Sequence, residues 1–210
     1  MTEKTLIDET IKNLNQNGFE ACFCQTVKDA VEKVLSLIPS GASVGFGGSM
    51  SCVDSGLLDK VRSGPYKVID REKAADSAER RVLMKKCLTA DVFLTSFNAV
   101  SKNGSVFNID GNGNRVAASI GGPKRVVYVI GRNKIVEGGV DAAIERIKAK
   151  ACPPNAARLG LSTPCGVSGR CVGGVGCKSP SRMCKVTAVF ERKPTGISAK
   201  VILVDEDLGY

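Results

Sequence analysis

The chain has 210 residues, of which 43% are hydrophobic, so it is long and apolar enough to fold around a core and is not a disordered chain. Its formal net charge is +9, but only 5% of the residues are aromatic and the basic residues are scattered, which argues against a surface that stacks nucleic-acid bases. It has no histidine, which excludes Ser–His and Cys–His catalytic pairs and leaves sulfur or oxygen as the ligands for any transition metal.

The first 90 residues predict alternating helices and strands. Thr26, with Asp29 three residues later, is the capping signal of a helix that the Pro39-Ser40-Gly41 segment ends. Apolar residues at helical spacing and short apolar runs give the other elements. Helices are predicted at 6–14, 27–38, 50–58 and 74–87, and strands at 20–25, 42–46 and 66–70.

The same alternation continues toward the C-terminus. Asn103-Gly104 is a strong hairpin turn, because both residues tolerate a positive φ. A glycine loop leads into a helix over 111–120, and a second helix is predicted at 139–151. Strands are predicted at 90–101, 105–110, 125–131, 185–193 and 200–207, the last two joined by a turn at 194–196.

This order of elements predicts an α/β fold. Strand–helix alternation over the first 150 residues is typical of a mostly parallel sheet with helices on both faces, and the hairpins add antiparallel strands that make it mixed. We expect one domain over 1–210, with an α/β core at 1–152, a cysteine-rich loop at 153–185 and closing strands at 186–210.

The turn from Gly45 to Ser49 is the first candidate ligand site. A strand that ends in glycines and opens a helix presents backbone N–H groups that favour a phosphate or carboxylate. The spacing matches neither the phosphate loop nor the dinucleotide fingerprint, and a tight turn without a ligand is an equal alternative. The candidate ligand-binding residues are Gly45, Gly47, Gly48 and Ser49.

The segment 108–115 is the second candidate site. Asp110 ends a predicted strand, where sites in open α/β sheets collect, and is our candidate catalytic base. Amides and a guanidinium around it suit a polyhydroxy or anionic ligand. The alternative is an elaborate turn in which Asp110 caps the next helix. The candidate ligand-binding residues here are Asn108, Asn112, Asn114 and Arg115.

A third strand end carries the triplet Asp70-Arg71-Glu72. Paired acids can do general acid–base work. A solvated helix start, with acids near the positive end of the helix dipole, is the interpretation that we favour.

The protein is expected in the cytoplasm. No apolar run approaches the roughly 20 residues of a membrane span, and the N-terminus is polar where a signal peptide would be apolar. In a reducing compartment clustered cysteines indicate metal, cluster or redox chemistry rather than disulfides. The five scattered cysteines are expected to be small buried hydrophobes: Cys22, Cys24, Cys52, Cys87 and Cys152.

The other four cysteines crowd one glycine-rich stretch: Cys165, Cys171, Cys177 and Cys184. Five, five and six residues separate them, which matches neither the short pairs of zinc sites nor the ferredoxin spacings. We expect them to ligate an iron–sulfur cluster, of the 4Fe–4S type, because a cluster is larger than an ion and tolerates wider spacing. Zinc is the second interpretation, and redox-active or free thiols are the third.

Taken together, these segments resemble the LUD-domain family, the lactate utilization proteins also called DUF162. The resemblance covers nearly the whole chain and is most specific over 88–136. The runs that carry it are VGFGGS (44–49), VIDRE (68–72), LTADVFLTSFNAVSKNGSVFNIDGNGNRVAA (88–118), GPKRVVYVIGRNKIV (122–136), AIERIKAKACPPNAARLG (143–160), and VTAVFERKPTG with VILVDEDLGY within 186–210.

The resemblance implies a fold like that of ribose-5-phosphate isomerase, glucosamine-phosphate deaminase and the CoA transferases, with the ligand at strand ends. It implies a role in oxidising L-lactate alongside iron–sulfur partner subunits, and the cysteine loop places the chain near a cysteine-bearing subgroup. Two alternatives stay open: an isomerase- or transferase-like enzyme acting on a sugar phosphate or acyl-CoA, and a ligand-binding or scaffold subunit stapled by zinc. Whether the chain is itself an enzyme or forms a homo-oligomer is also open.

Overall fold

The computed structural model describes residues 2–173 and 177–210. The strands are β1 (Glu20–Cys24), β2 (Ser43–Phe46), β3 (Lys67–Ile69), β4 (Val92–Thr95), β5 (Ala99–Ser101), β6 (Val106–Asp110), β7 (Arg125–Gly131), β8 (Ile135–Val136), β9 (Val186–Phe190) and β10 (Ser198–Val204). The helices are α1 (Glu3–Gln16), α2 (Val27–Ser36), α3 (Met50–Asp54), α4 (Leu57–Ser63), α5 (Ser77–Lys86), α6 (Asn114–Gly121), α7 (Val140–Arg146), α8 (Cys152–Arg158) and α9 (Pro164–Ser168).

The fold is the predicted α/β class, built on a six-stranded parallel sheet in the order β1-β10-β7-β4-β2-β3. Alternate residues of its strands face opposite sides, so β4 turns Val92 and Leu94 to one face and Phe93 to the other. Helices α2, α3 and α4 cover the first face, while α1, α6 and the second sheet cover the other. Because every strand of this sheet is parallel, the loops at the strand carboxyl ends meet along one edge.

The antiparallel pairings lie in a separate four-stranded sheet of order β8-β5-β6-β9, not within the main sheet. The prediction of one continuous strand at 90–101 is therefore wrong. Residues 96–98 separate β4 from β5, and the two strands belong to different sheets. The predicted Asn103-Gly104 turn does join β5 to β6, with Gly104 at φ +84°. The closing strands β9 and β10 also part, with β9 beside β6 and β10 between β1 and β7.

Two predicted helices differ from those in the structure, one by a break and the other by its length. The helix expected at 50–58 is two helices, because Gly56 at φ +70° turns the chain between α3 and α4. The helix expected to end at residue 151 passes through a wider π-helical turn at Ile147–Ala151 and continues as α8. Pro153 and Pro154 follow Cys152 in the first turn of α8, where a missing N–H costs little. Thr26 caps α2 as predicted, accepting from the Asp29 N–H at 3.1 Å.

Across residues 2–173 and 177–210, none of the helices combines the length and the apolar character that a bilayer crossing requires.

Candidate functional site

The carboxyl ends of the central strands surround one cleft of about 420 Å³, which we call the cationic cleft. The loops that follow β2, β3, β4 and β7 contribute Gly48, Arg71, Ser96 and Lys134 to its wall. Asp110, at the end of β6, completes this part of the lining. The volume is in the range of small-molecule sites, and the position is the one where parallel sheets bind ligands.

The charge of the cleft is strongly positive. Its basic lining residues are Arg71, Arg80, Arg115, Lys134, Arg158, Arg182 and Lys185. Glu72 and Asp110 are the acidic residues that line it in the described part of the chain, and both are already paired, Glu72 with Arg62 at 2.7 Å and Asp110 with Arg115 at 3.1 Å. A concave surface with this excess of cations concentrates small anions.

Arg71 is a buried cation whose guanidinium is only partly satisfied. It is 7% exposed, and its Nε has no hydrogen-bond partner within the described residues. Its Nη1 contacts the Met84 sulfur at 3.7 Å, a weak acceptor. Burial, and next the nearby Arg80, lower the pKa of Arg71 from its ordinary value. The close approach of Arg71 needs Gly48, since a Cβ at that position would lie 2.9 Å from Arg71 Nη2.

Lys134 is the second buried cation, 3% exposed, just beyond the end of β7. Its Nζ donates to Ser51 Oγ at 2.6 Å and to Ser96 Oγ at 3.1 Å. No carboxylate of the described residues forms an ion pair with it. Burial, and next the charge of Arg146, lower the pKa of Lys134 to about 7. Buried ionisable groups with a perturbed pKa and no oppositely charged partner are typical of functional sites.

Asp110 is 6% exposed, and both of its carboxylate oxygens are engaged. Oδ2 accepts from the N–H groups of Arg115 and Val116, at 2.9 and 3.3 Å, at the start of α6, while Oδ1 accepts from Arg115 Nε at 3.1 Å. These contacts are those of the capping alternative raised from the sequence. The role of Asp110 as a base stays a prediction.

The predicted ligand-binding residues divide into two groups. The cleft is lined by Gly48, Ser49, Asn112, Asn114 and Arg115. Three others do not line it. Asn108 is fully buried within β6, Gly45 packs against Cys87, and Gly47 gives room to the Arg115 side chain. These three support the walls of the cleft, because a Cβ at Gly47 would lie 2.6 Å from Arg115 Cγ.

The triplet at the end of β3 does form a helix start, since Asp70 caps a single 3-10 turn at Arg71–Lys73 by accepting from the Glu72 N–H at 2.9 Å, and Glu72 is exposed. Asp70 is 8% exposed and accepts from Arg62 Nε at 2.9 Å, and Glu72 accepts from the same guanidinium at 2.7 Å. Both acids are thereby bound to Arg62. Arg71, between them, lines the cleft together with Glu72 but has no acid bound to its own guanidinium among the described residues.

A second, small cavity collects the cysteines, and we call it the cysteine cavity. Its sulfur-bearing lining residues are Cys152, Cys165, Cys171, Cys177, Met183 and Cys184. All four cysteines of the glycine-rich stretch thus come to one place, and Cys152 joins them in addition to packing in the core, as expected for it. Among the described residues, no three Cys, Asp or Glu side chains lie close enough in this arrangement to hold one metal ion.

Cys152 and Cys184 make the closest thiol contact, with their sulfur atoms 3.2 Å apart. Their hydrogen bond lowers the pKa of Cys184 to about 6 and raises that of Cys152, and the nearby Lys148 also favours the Cys184 thiolate. The contact therefore favours the thiolate form of Cys184, the form that binds metals. Cys152, Arg182, Met183 and Cys184 line both the cysteine cavity and the cationic cleft, so the two share a wall.

Lys134 was not predicted from the sequence, and Arg71 was given no role in a site. Each lies within three residues of the carboxyl end of a parallel strand, β7 or β3, and this position was the available signal. Cys152 carried no such signal, since it lies 13 positions before the glycine-rich cysteines begin.

Comparison with known proteins agrees with this fold. The family profile described as the LUD domain matches residues 7–204. A solved structure described as a DUF162 family protein from Deinococcus radiodurans is 14% identical, with a TM-score of 0.54, over 97% of this chain and 99% of its own. No curated protein matches the chain. The profile match spans nearly every element of the two sheets, and the chain therefore belongs to the LUD-domain family.

Proposed function

We propose that this LUD-domain protein acts in the utilization of lactate or another organic acid and binds a small organic anion in the cationic cleft. The observation that carries the proposal is Arg71, a guanidinium more than nine-tenths buried with an unpartnered Nε, in a cleft whose lining acids are already paired. A buried donor without a partner is costly, so the site gains when an anion supplies the acceptor. A carboxylate matches the planar guanidinium in shape and charge.

We further propose that the cysteine cavity holds an inorganic centre, an iron–sulfur cluster with zinc as the alternative. The donors fit, because all are sulfur and one thiol pair is poised as a thiolate. The ligands would be Cys165, Cys171, Cys177 and Cys184, with Cys152 adjacent. Thiols spread around a cavity suit a centre larger than one ion, while the small volume of about 20 Å³ keeps zinc as the alternative.

A bound cluster would supply one-electron transfer beside the anion. It could then exchange electrons with iron–sulfur partner subunits that take part in organic-acid oxidation. A bound zinc ion would instead stabilise the cysteine loop and leave the cleft as a simple binding site. Either centre requires reduced thiols, which a cytoplasmic location would provide. The alternative chemistry on a sugar phosphate or acyl-CoA needs Asp110 as a base, and its two oxygens are already hydrogen-bonded to α6 and Arg115.

Calorimetric titration with oxalate, a small dicarboxylate, tests anion binding. We expect wild-type protein to bind oxalate, and Arg71→Gln to weaken binding by on the order of 30-fold or more, because a buried charged hydrogen bond contributes about 2 kcal/mol or more. The matched control is Arg81→Gln, in the exposed helix α5 and outside the cleft. Equal affinity of Arg71→Gln and wild type, or tighter binding of ribose 5-phosphate than of oxalate, would overturn the proposal.

A further inference from the structure

We propose that the Lys134 amine is a nucleophile that forms a covalent imine with the carbonyl carbon of a 2-oxo acid bound in the cationic cleft. The inference rests on the proposed anion binding and adds to it a substrate class and a reacting atom. Four features of the structure support it: the hydrogen bonds of Nζ, its burial, the charges around it and its position in the cleft.

The hydrogen bonds at Nζ leave one position on the nitrogen available. Ser51 Oγ donates its own proton to the Leu208 carbonyl at 3.0 Å, and Ser96 Oγ donates to the Phe97 carbonyl at 3.0 Å. Because a hydroxyl has a single proton, both serines act as acceptors toward Lys134. The two N–H bonds of a neutral amine are then satisfied, at 2.6 and 3.1 Å, and its lone pair is left without a donor.

The surroundings of Lys134 favour this neutral amine. Arg146 on α7 and Arg115 on α6 oppose its charge, while Cys52 and Asp54 on α3 favour it. Burial is the largest influence, and together these effects bring the pKa of Lys134 to about 7. A lysine that is desolvated and close to other cations is the established type of amine nucleophile. At neutral pH a pKa of about 7 leaves roughly half of Lys134 uncharged, on the order of a thousand times the fraction of an exposed lysine.

The ligand class follows from two functional groups that line the cleft, the Lys134 amine and the Arg71 guanidinium. Lys134 and Arg71 both line the cleft, and both approach the short segment 48–51, Arg71 at Gly48 and Lys134 at Ser51 in the first turn of α3. An amine nucleophile requires an electrophilic carbonyl, and a guanidinium requires an anion. A 2-oxo acid carries both on adjacent carbons, whereas a 2-hydroxy acid carries only the carboxylate.

The reaction is a condensation that needs no oxidant or reductant. The Nζ lone pair attacks the carbonyl carbon, forming the C–N bond as the carbonyl π electrons move to oxygen. Two protons from the amine then leave with that oxygen as water, and the C=N bond remains. Ser51 and Ser96 orient the amine, and the cationic wall of the cleft holds the carboxylate.

Reductive trapping with pyruvate tests the inference directly. Purified full-length protein is incubated with pyruvate and sodium cyanoborohydride at pH 7, then digested and mapped by mass spectrometry. We expect one carboxyethyl adduct on Lys134, suppressed by excess oxalate and absent from Lys134→Met. L-lactate, which has no carbonyl, should give no adduct. The mapping is read on wild-type protein, so the conclusion stands even where Lys134→Met folds poorly.

Lys124 provides a matched control, because it lies directly before β7 whereas Lys134 follows the same strand. Its side chain is 81% exposed and pairs with Asp91, so Lys124→Met should leave the Lys134 adduct unchanged. An adduct spread over exposed lysines, or none on Lys134 in protein that binds oxalate, would overturn the inference and leave the proposed function intact. Failure of the wild-type protein to bind oxalate would overturn both the proposed function and this inference.

Discussion

Lys134 and Arg71 are cations that the fold buries at 3% and 7% exposure without giving either one an acidic partner. Among the residues that the structure describes, Arg62, Arg115 and Arg132 each have at least one carboxylate within ion-pair distance. Burying a cation unpaired destabilises the fold. Binding of the anion that we propose for this cleft would offset part of that cost.

The pKa of Lys134 predicts a pH dependence of stability. It is about 7 in the folded protein, against an ordinary value near 10.4 in the unfolded chain. Between these values the unfolded chain binds more protons, so the free energy of unfolding rises with pH. We expect a gain of about 2 kcal/mol from pH 7 to pH 9 in wild type relative to Lys134→Met, measured by urea denaturation under reducing conditions. Parallel pH profiles for the two proteins would contradict this.

Substitutions of Asp110 test whether its carboxylate has a structural role in addition to the predicted catalytic one. Its carboxylate caps α6 and neutralises the Arg115 side chain, which is 13% exposed. Asp110→Ala should therefore lower the free energy of unfolding by about 3 kcal/mol, and Asp110→Asn, which keeps a capping oxygen, by less. Denaturant titration measures both, with exposed Asp8→Asn as the control. An Asp110→Ala protein as stable as wild type would show that capping by Asp110 does not stabilise the fold.

At the residue scale, the sequence could indicate the polar density around Asp110 but not which cations lack partners. Arg71 stands between two acids in the sequence, which suggests a neutralised triplet. In the structure both acids turn to Arg62, from α4. That contact joins residues of different elements, and a single sequence read by itself carries no record of it.

Among the elements, the β5–β6 hairpin is fixed against α1 through its turn. Asn13 Nδ2 donates to the Lys102 carbonyl at 2.8 Å, and Asn17 Nδ2 donates to the Asn103 carbonyl at 3.1 Å. Gly104 closes the contact, since a Cβ there would lie 2.5 Å from the Asn13 carbonyl carbon. The turn thus orients the hairpin whose second strand, β6, delivers Asp110 to the cleft.

This packing predicts different costs for two glycine substitutions. Gly41 and Gly104 have similar φ values, +74° and +84°, but a Cβ at Gly41 meets nothing within 4 Å. Gly41→Ala should cost about 1 kcal/mol through its backbone conformation alone. Gly104→Ala should cost at least twice as much, because it adds a clash with α1. Thermal or urea unfolding of the two variants measures this, and equal losses would contradict the packing role of Gly104.

Local patterns predicted most elements but not the sheet to which each belongs. Residues 90–101 read as one strand because both halves are apolar, yet Ser96–Asn98 divide β4 from β5. Strand pairing depends on contacts between distant parts of the chain, such as β6 with β9, and the alternation of side chains is the same in either sheet. Capping, in contrast, is local, so Thr26 and the Asn103-Gly104 turn were predicted correctly.

At the scale of the whole molecule, the two sheets and the cysteine loop place the cationic cleft beside the cysteine cavity, and we call these two candidate sites together the joint site. The parallel sheet supplies Arg71 and Lys134 at its strand ends, and the second sheet supplies Asp110. Cys152 and Cys184 lie in the wall common to both. The clustering of late cysteines in the sequence pointed to this place, whereas the contribution of Cys152 required the fold.

The most direct test of the joint site is iron, sulfide and zinc analysis of protein purified without oxygen. We expect bound iron and sulfide with a brown visible spectrum in wild type, and their loss in Cys171→Ser and Cys184→Ser. Cys22→Ser, outside the cysteine cavity, should retain them. Zinc without iron would indicate that the cysteine cavity holds a structural zinc ion and no cluster. Anoxic protein that contains neither iron nor zinc would contradict an inorganic centre beside the cationic cleft.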